Sequence, residues 1–280
     1  MTRAYYDSDL YALRNASPVP LEILETDIDL YWHIALTMYG EIEAANALDR
    51  HFAFIVPVGP VYQYRRFVDL VRRRPLSLKN THFFFMDEYL VDEKTWIPED
   101  SPLSFRGFIK RELIDALPKE AGLKASTVHF PDPADPAAYD QALAELGGAD
   151  MCIAGVGITG HLAFNEPPEP GETMSVADFS RLPSRVIRLA RESIAINSNT
   201  AMRGAMDEVP PIAVTVGMQQ ILGAKKLRIY LNRPWQSAVV RRFLFGEMTA
   251  AFPVTLARSH PDVRAIMTPV VAEKPEFALK

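Results

Sequence analysis

The stretch FAFIVPVGPVYQYRRFVDLVRRRPLSLKNTHFFFM, residues 52–86, decides the fold class of this chain. It opens with a compact apolar run at 52–57, continues at 61–74 with helical spacing and a charged face, and ends in a second apolar run at 81–86. A short apolar run is typical of a buried strand, and apolar residues three or four apart are typical of an amphipathic helix. The stretch therefore predicts a strand, a helix and a second strand.

The same alternation extends along the chain in both directions. Upstream, the apolar spacing from Thr26 to Asp49 predicts a helix. Downstream, the pattern predicts helices at 104–116 and 136–147, and strands at 127–130, 150–155, 227–231 and 263–268. Strands that are apolar throughout and alternate with helices indicate a mainly parallel sheet covered on both sides. The expected fold class is doubly wound α/β, Rossmann-like, with helices on both faces of the sheet.

The composition is that of one large folded unit. The chain has 280 residues, of which 48% are hydrophobic and 23% charged, enough to bury a substantial core. The proline-rich segment EPPEPGE at 166–172 resembles a linker in composition, but the strand and helix pattern resumes unchanged on both sides. We therefore expect a single domain over residues 1–280 and a functional loop at 166–172.

Charge and cysteine content exclude several classes of protein. A net charge of -5 argues against a nucleic-acid partner, because phosphate-backbone affinity depends on clustered lysine and arginine. The only cysteine, Cys152, excludes an internal disulfide and suits a reducing compartment. The N-terminus lacks the apolar core of a signal peptide, and no stretch approaches the ~20 apolar residues that span a bilayer. We expect a cytoplasmic protein with no membrane role, and the sequence leaves open whether it forms a homo-oligomer.

A first polar cluster, Asp87-Glu88-Tyr89, directly follows the predicted strand at 81–86. Ligands of open parallel sheets collect beyond the carboxyl ends of the strands. Adjacent side chains on an extended segment point to opposite faces, so Asp87 and Glu88 cannot both enter one pocket. One is expected to be catalytic and the other structural. The alternative is that Asp87 only caps a following turn or helix.

A second cluster, GVGITGHLAFNEP at 155–167, contains the spacing G-x-G-x-x-G after a predicted strand. With Asp178 further on, this pattern allows a dinucleotide site, which requires a long helix opening at the glycines. Pro167 and Pro168 follow too closely for a helix of normal length. We therefore expect no dinucleotide.

The better interpretation of the second cluster is a bend that exposes His161 and Glu166. A histidine flanked by glycine at a strand end is well placed to transfer protons at neutral pH, and Glu166 is close enough in sequence to share its pocket. A structural histidine is the alternative for His161, and it is the interpretation we adopt for the other five histidines. No histidine or carboxylate spacing resembles a metal site.

At these two clusters the sequence resembles the glucosamine-6-phosphate deaminase/isomerase family. The matching segments are MDEY at 86–89, GVGxxGHxAFNEP at 155–167 and TVG at 215–217. The order of predicted elements fits from Asp27 to Met267, nearly the whole chain. The related 6-phosphogluconolactonases share the fold, but they typically have arginine at the position of the tyrosine in MDEY, and they lack AFNEP.

The resemblance implies a reaction and its residues. Asp87 would be the base that moves a proton between C1 and C2 of the opened amino sugar, and His161, assisted by Glu166, would open the pyranose ring. Conversion of an amino sugar to a ketose and ammonia needs two such proton carriers. The implied partner is a small sugar, and neither a metal nor an organic cofactor is implied.

One departure from the family lies beside the motif histidine. Family members have an aspartate two residues before it, and this chain has Thr159. A carboxylate would fix the imidazole tautomer and favour its protonated form, whereas a hydroxyl can only hydrogen-bond. We expect slower ring opening, or a substrate that needs less of it.

The phosphate-binding positions depart further. The family's Gly-Gly-Thr loop is replaced by Pro57-Val58-Gly59-Pro60-Val61, in which Pro60 has no N–H and Val61 has no hydroxyl. The family's phosphate-binding arginine and lysine align with Asn199 and Gln236. A phosphate dianion without cationic partners would lose hydration that neutral amides replace poorly. We expect a substrate other than an ordinary 6-phosphosugar.

The expected site can be stated residue by residue. The substrate-binding positions are Gly59, Glu88, Thr159, Gly160, Asn199 and Gln236. Tyr62 and Tyr64 would also suit a neutral hydroxymethyl end, and Arg65 or Arg233 could restore phosphate binding. Two other functions stay open: a noncatalytic sugar-binding or regulatory protein on the same scaffold, and a lactonase-type hydrolase, which the residues after His161 argue against.

Overall fold

The computed structural model describes residues 3–60 and 62–278 and has two sheets. The strands are β1 Leu21–Ile23, β2 Phe52–Val56, β3 Thr81–Phe85, β4 Asp87–Asp92, β5 Thr95–Trp96, β6 Val128–His129, β7 Met151–Ala154, β8 Arg185–Arg188, β9 Ile212–Thr215, β10 Lys226–Leu231 and β11 Val263–Met267. The α-helices are α1 Leu10–Ala16, α2 Asp27–Ala47, α3 Gln63–Arg73, α4 Phe105–Ile109, α5 Pro136–Glu145, α6 Val176–Ser180, α7 Arg191–Ala201, α8 Met218–Leu222, α9 Gln236–Phe245 and α10 Pro269–Ala272. A π-helical turn, Lys110–Ile114, continues α4, and short 3-10 turns occupy Ala4–Asp7, Lys119–Ala121, Ala125–Thr127, Met206–Glu208 and Pro253–Ser259.

The larger sheet is parallel, with the strand order β1-β11-β10-β7-β2-β3-β6. Alternate residues of β2 point to opposite faces. Ala53 and Ile55 join one buried cluster, and Phe52 and Phe54 join the other. Burying the apolar surface on both faces supplies the dominant stabilisation of such a sheet. The predicted doubly wound α/β fold is confirmed.

Helix α2 shows how the sequence sets an element of this fold. Thr26 and Asp29 form a reciprocal capping box, in which the Thr26 Oγ1 accepts from the Asp29 N–H at 3.2 Å and the Asp29 carboxylate accepts from the Thr26 N–H at 3.0 Å. One apolar stripe then packs into the core, formed by Leu30, Ile34, Met38 and Ile42. The predicted helix from Thr26 to Asp49 is confirmed within two residues of its ends.

A second, antiparallel sheet has the order β5-β4-β9-β8, and the sequence did not predict it. Met86 joins the two sheets: its N–H donates to the Val56 carbonyl at 3.1 Å, and its carbonyl accepts from Val216 at 2.7 Å. Residues 87–89, which directly follow the predicted strand at 81–86, are therefore the start of β4. Asp87 pairs with Thr215 across this sheet. The junction holds Asp87 on regular structure at the carboxyl edge of the parallel sheet.

Within the described part of the chain, none of the helices has the length and apolarity needed to cross a membrane.

Candidate active site

A cavity of about 530 Å³ opens at the carboxyl edge of the parallel sheet, as expected for an open α/β fold. Its walls are built by the segments that follow β2, β3, β7 and β10, together with the loop before α4 and one face of α7. Asp87 and His161 both line it. Thus the two polar clusters found in the sequence meet at one cavity, although they lie far apart in the chain.

Asp87 is a buried carboxyl with only 8% of its surface exposed. Burial, and secondly the negative charge of Glu88, raise its pKa to about 8. A carboxyl whose pKa lies near neutrality can both take and give a proton under physiological conditions. The position of Asp87 therefore suits general acid–base chemistry.

Glu88 lies on the opposite side of β4 and does not line the cavity. Its fully buried carboxylate accepts hydrogen bonds from the Ser104 hydroxyl and the Arg106 N–H, each at 2.8 Å, and from the N–H groups of Tyr89 at 2.9 Å and Phe105 at 3.0 Å. Most of these donors are at the start of α4, so Glu88 anchors that helix. The Glu88 oxygens are engaged inside the protein, so this placement does not support the prediction that Glu88 binds substrate.

His161 is held at its inner nitrogen by three oxygen atoms. Its Nδ1 lies 2.9 Å from the Thr159 Oγ1, 3.1 Å from a Glu166 carboxylate oxygen and 3.3 Å from the Ser193 Oγ. The ring lies against the backbone of Gly157, where a Cβ atom would stand 1.9 Å from the Nε2 of His161. Only glycine leaves room for the ring, which explains why the second position of the glycine motif is a glycine.

Glu166 completes this arrangement behind His161. Burial alone would raise the pKa of its carboxyl, but the charge and hydrogen bond of His161 and the hydroxyls of Ser193 and Thr159 together lower that pKa to about 2. The Thr159 hydroxyl donates to Glu166 Oε2 at 2.7 Å. Glu166 is therefore an ionised carboxylate facing the inner side of the imidazole.

Thr159 and Gly160, which were predicted to bind substrate, do not line the cavity. Thr159 lies behind His161, between its ring and Glu166. Gly160 has a φ of +81°, and a Cβ there would lie 2.7 Å from the Phe252 ring. The turn and the packing against Phe252 both require glycine at 160. No regular helix opens at these glycines, so the helix that a dinucleotide site needs is absent from residues 155–175.

Asn199 was assigned to the substrate, but it is exposed on α7 and does not line the cavity. Residues 196, 197, 200 and 201 form the face of α7 that does. Position 199 is half a helical turn away from position 197 and points to the opposite side. This placement does not support the assignment of Asn199 to the substrate. Asn197 is the amide of α7 that lines the cavity, and its Nδ2 donates to the Tyr89 hydroxyl at 3.1 Å.

Gly59 and Gln236 line the cavity, and their contact with substrate stays a prediction. The Gln236 amide is already engaged at both ends. Its Nε2 donates to the Val156 carbonyl at 2.7 Å, and its Oε1 accepts from the N–H groups of Asn232 and Arg233 at 2.9 Å. Gln236 thus ties together the loops after β7 and β10.

Cationic groups near the cavity are few. Arg65 pairs with the carboxylate of Glu112 and does not line the cavity. Arg233 does line the cavity, and it is the only arginine or lysine among the described residues that do.

The other positions expected at the remote end of the substrate are mostly outside the cavity wall. Tyr62 is about half exposed beside Tyr31, and the buried Tyr64 donates to the Pro57 carbonyl, so neither tyrosine lines the cavity. The loop after β2 contributes Gly59 and Pro60 to the lining, and position 61 lies outside the described residues.

No family model matches the chain. The chain is similar to the glucosamine-6-phosphate deaminase of Thermoanaerobacter pseudethanolicus, 27% identical over 214 residues, which are 74% of this chain and 77% of that protein. It is also similar to the enzyme of that name from Phocaeicola vulgatus, 29% identical over 230 residues, which are 79% and 80% of the two chains. At less than 30% identity, the chain is thus similar to glucosamine-6-phosphate deaminases over about three quarters of its length.

Solved structures agree on the fold. A monomeric glucosamine-6-phosphate deaminase of the NagB superfamily superposes with a TM-score of 0.76 at 23% identity, covering 90% of this chain and 98% of that one. The 6-phosphogluconolactonase of Trypanosoma cruzi superposes with a TM-score of 0.64 at 16% identity, covering 91% and 96%. At these identities the likeness concerns the fold.

Several residues of the site were missed from the sequence. Ser193 and Asn197 belong to α7, a helix that the apolar pattern did not predict, so neither could be placed at the cavity. Tyr89 was noted only as part of a motif, although its ring packs with Phe105 and Phe164 to form an apolar wall. The aromatic residues at 105 and 164 were visible in the sequence, but nothing local indicated that they would meet.

Proposed function

We propose that this chain converts an amino sugar to a ketose and ammonia by aldose–ketose isomerisation and deamination. The observation that carries the proposal is the single cavity lined by a buried Asp87 and by His161, with Glu166 behind the imidazole. The relatives named glucosamine-6-phosphate deaminase support the same reaction class.

The two proton carriers have different roles. His161 exchanges a proton with the hydroxyl and the ring oxygen at the anomeric centre and so opens the pyranose. Asp87 then moves a proton between C2 and C1 of the open chain, which turns the 2-amino aldose into an imine that water hydrolyses to ketose and ammonia. The raised pKa of Asp87, about 8, gives this carboxyl the proton affinity that abstraction from carbon requires.

The end of the substrate remote from this chemistry is proposed to be unphosphorylated or otherwise different from a sugar 6-phosphate. The loop after β2 contributes proline and glycine to the cavity, and the Gln236 amide is engaged in the protein. Arg233 is exposed and is the single cation of the described lining. A phosphate held by one solvated guanidinium would gain little over its hydration.

The test compares ammonia release from glucosamine and from glucosamine 6-phosphate. We expect the higher kcat/KM with the unphosphorylated sugar. Arg233→Gln should change that value less than about threefold, the range of an exposed charge contact. The matched control is Arg264→Gln, an exposed arginine on β11.

Efficient turnover of glucosamine 6-phosphate that collapses in Arg233→Gln would contradict the proposal about the remote end, and would assign the phosphate to Arg233. The absence of turnover with a wide panel of amino sugars, together with ligand binding that Asp87→Asn leaves unchanged, would favour a noncatalytic sugar-binding protein.

A further inference from the structure

The inner side of His161 is enclosed by two neutral hydroxyls and one carboxylate. Thr159 is half-buried on the loop after β7, and Ser193 is fully buried on α7. They approach the same Nδ1 atom from different elements, at 2.9 Å and 3.3 Å. Both hydroxyls also hydrogen-bond to Glu166. The cluster therefore links the motif loop to α7 through a single carboxylate.

The hydrogen-bond donors and acceptors around Nδ1 determine the tautomer of this imidazole. The Thr159 hydroxyl has one proton, and it donates that proton to Glu166 Oε2 at 2.7 Å. The same hydroxyl oxygen and the same carboxylate oxygen both lie within 3.1 Å of Nδ1, so they face it with lone pairs. Two lone pairs can approach a ring nitrogen only if that nitrogen carries the proton. In neutral His161 the proton is thus on Nδ1, and Nε2 has a free lone pair.

We propose that Thr159 and Ser193 are positioning residues, which hold Glu166 and the His161 ring together so that Nδ1 keeps its proton and Nε2 offers a lone pair to the cavity. This inference rests on the proposed function, because it equips His161 to accept the proton of the anomeric hydroxyl at Nε2. Nδ1 retains its hydrogen bond to Glu166 throughout, and the proton on Nε2 is returned to the ring oxygen.

Thr159 also determines the charge around the imidazole. A hydroxyl supplies an oxygen at hydrogen-bond distance without a second negative charge, so Glu166 alone stabilises the imidazolium formed during ring opening. An aspartate at this position would favour the imidazolium further, and the base form would then need a higher pH. The acidic limb of the kcat/KM profile should therefore move to higher pH in Thr159→Asp.

The first test observes the tautomer in the free protein. Long-range proton–nitrogen NMR of ¹⁵N-histidine-labelled protein at alkaline pH, with His161 assigned by its absence in His161→Gln, should show a protonated Nδ1 and an unprotonated Nε2. The double variant Thr159→Val with Ser193→Ala should give a mixture of tautomers. A proton on Nε2 in the unaltered protein, or an unchanged pure tautomer in the double variant, would overturn the inference.

The second test is kinetic. Thr159→Val and Ser193→Ala should each lower kcat about 10-fold with KM changed less than about twofold, and Thr159→Ser should retain most of the activity. Ser198→Ala is the matched control, because Ser198 is buried on the same helix and its hydroxyl donates to the Ala195 carbonyl, away from His161. Thermal unfolding of each variant checks that it folds. If Thr159→Val does not fold, Thr159→Ser and Ser193→Ala still test the inference.

The two claims fail in different ways. If the unaltered protein turns over no amino sugar while His161 shows the expected tautomer, the proposed function fails and the positioning role stands. If the unaltered protein is active and the hydroxyl variants keep its kcat and pH profile, the positioning role fails and the proposed function stands.

Discussion

Asp87 has its acid–base properties from its surroundings. It begins β4 directly after the buried Met86, so its carboxyl lies at the floor of the cavity with little contact to solvent. Glu88, the next residue, adds a negative charge that raises the pKa of Asp87 further. The same carboxyl on an exposed loop would be ionised at neutral pH and would be a weak base.

The raised pKa of Asp87 predicts a specific dependence of stability on pH. The folded protein binds this proton up to about pH 8, whereas an unfolded aspartate releases it near pH 4, so folding stability falls as pH rises between these values. The Asp87→Asn variant has no carboxyl to titrate at this position, so it does not lose this folding stability as pH rises. We expect the variant to have a melting temperature at pH 8 higher than the unaltered protein by about 5 °C, with a much smaller difference at pH 5.

The control for this experiment is Asp92→Asn, which changes an exposed carboxyl on the same strand. Differential scanning calorimetry at both pH values gives the comparison. An Asp87→Asn variant that is equally or less stable than the unaltered protein at pH 8 would show that Asp87 is ionised without penalty in the folded state.

Gly157 is important because it has no Cβ atom. A Cβ in Gly157→Ala would occupy the place of the His161 ring, so the ring must turn away and lose Thr159 and Glu166. We expect kcat to fall at least about 100-fold, since loss of a positioned acid–base group is worth roughly 10²–10⁴-fold. The change in unfolding free energy should stay near about 1 kcal/mol.

The matched control is Gly40→Ala, because an added Cβ on α2 meets no other atom within 4 Å. Activity in Gly157→Ala close to that of the control would mean that the observed ring position of His161 is unimportant for turnover.

At the scale of elements, Glu88 joins β4 to the start of α4. It accepts hydrogen bonds from two backbone N–H groups and one hydroxyl of that helix start, and it pairs with Arg106 at 3.4 Å. A helix N-terminus presents free N–H groups and a partial positive charge, and a buried carboxylate satisfies both. The helix start in turn supplies Ser104 and Phe105 to the wall of the cavity.

Glu88→Gln should therefore destabilise the protein, because an amide NH₂ would face donors in place of one carboxylate oxygen. We expect a loss of about 2–4 kcal/mol, typical of a buried charge-assisted network that is left partly unsatisfied. Urea unfolding measures this loss. The exposed Glu93→Gln is the control and should be neutral within about 0.5 kcal/mol. A Glu88→Gln variant as stable as the control would show that Glu88 does not anchor α4.

The parallel sheet was predictable because its strands are buried on both faces and read as continuous apolar runs, as in FAFIV at β2. The antiparallel sheet was not predictable in this way. Its outer strand β8, RVIR, is half-buried and has arginine at both ends, and β4 begins with two acidic residues. These strands are defined by their pairing with β9, which local sequence does not encode.

The candidate site was predictable where its residues lie close together in the sequence. The separation of roles between Asp87 and Glu88 follows from strand geometry, although the prediction still assigned substrate contact to Glu88. The loop from 155 to 167 contains His161 and its carboxylate, so that pair was found. The placement of Asn199 away from the cavity could not be predicted, because it depends on the rotation of α7, and Ser193 was missed for the same reason.

At the scale of the whole molecule, the central claim is that Asp87 and His161 act on one amino sugar in one cavity. The measurement is ammonia and ketose formation from an amino-sugar panel by the unaltered protein, Asp87→Asn and Asp92→Asn. We predict equimolar ammonia and ketose with the unaltered protein and with Asp92→Asn. The rate should be at least about 1,000-fold lower with Asp87→Asn, since Asp87 is the only carboxyl among the described residues that line the cavity. Turnover by Asp87→Asn within about tenfold of the unaltered protein would contradict the claim.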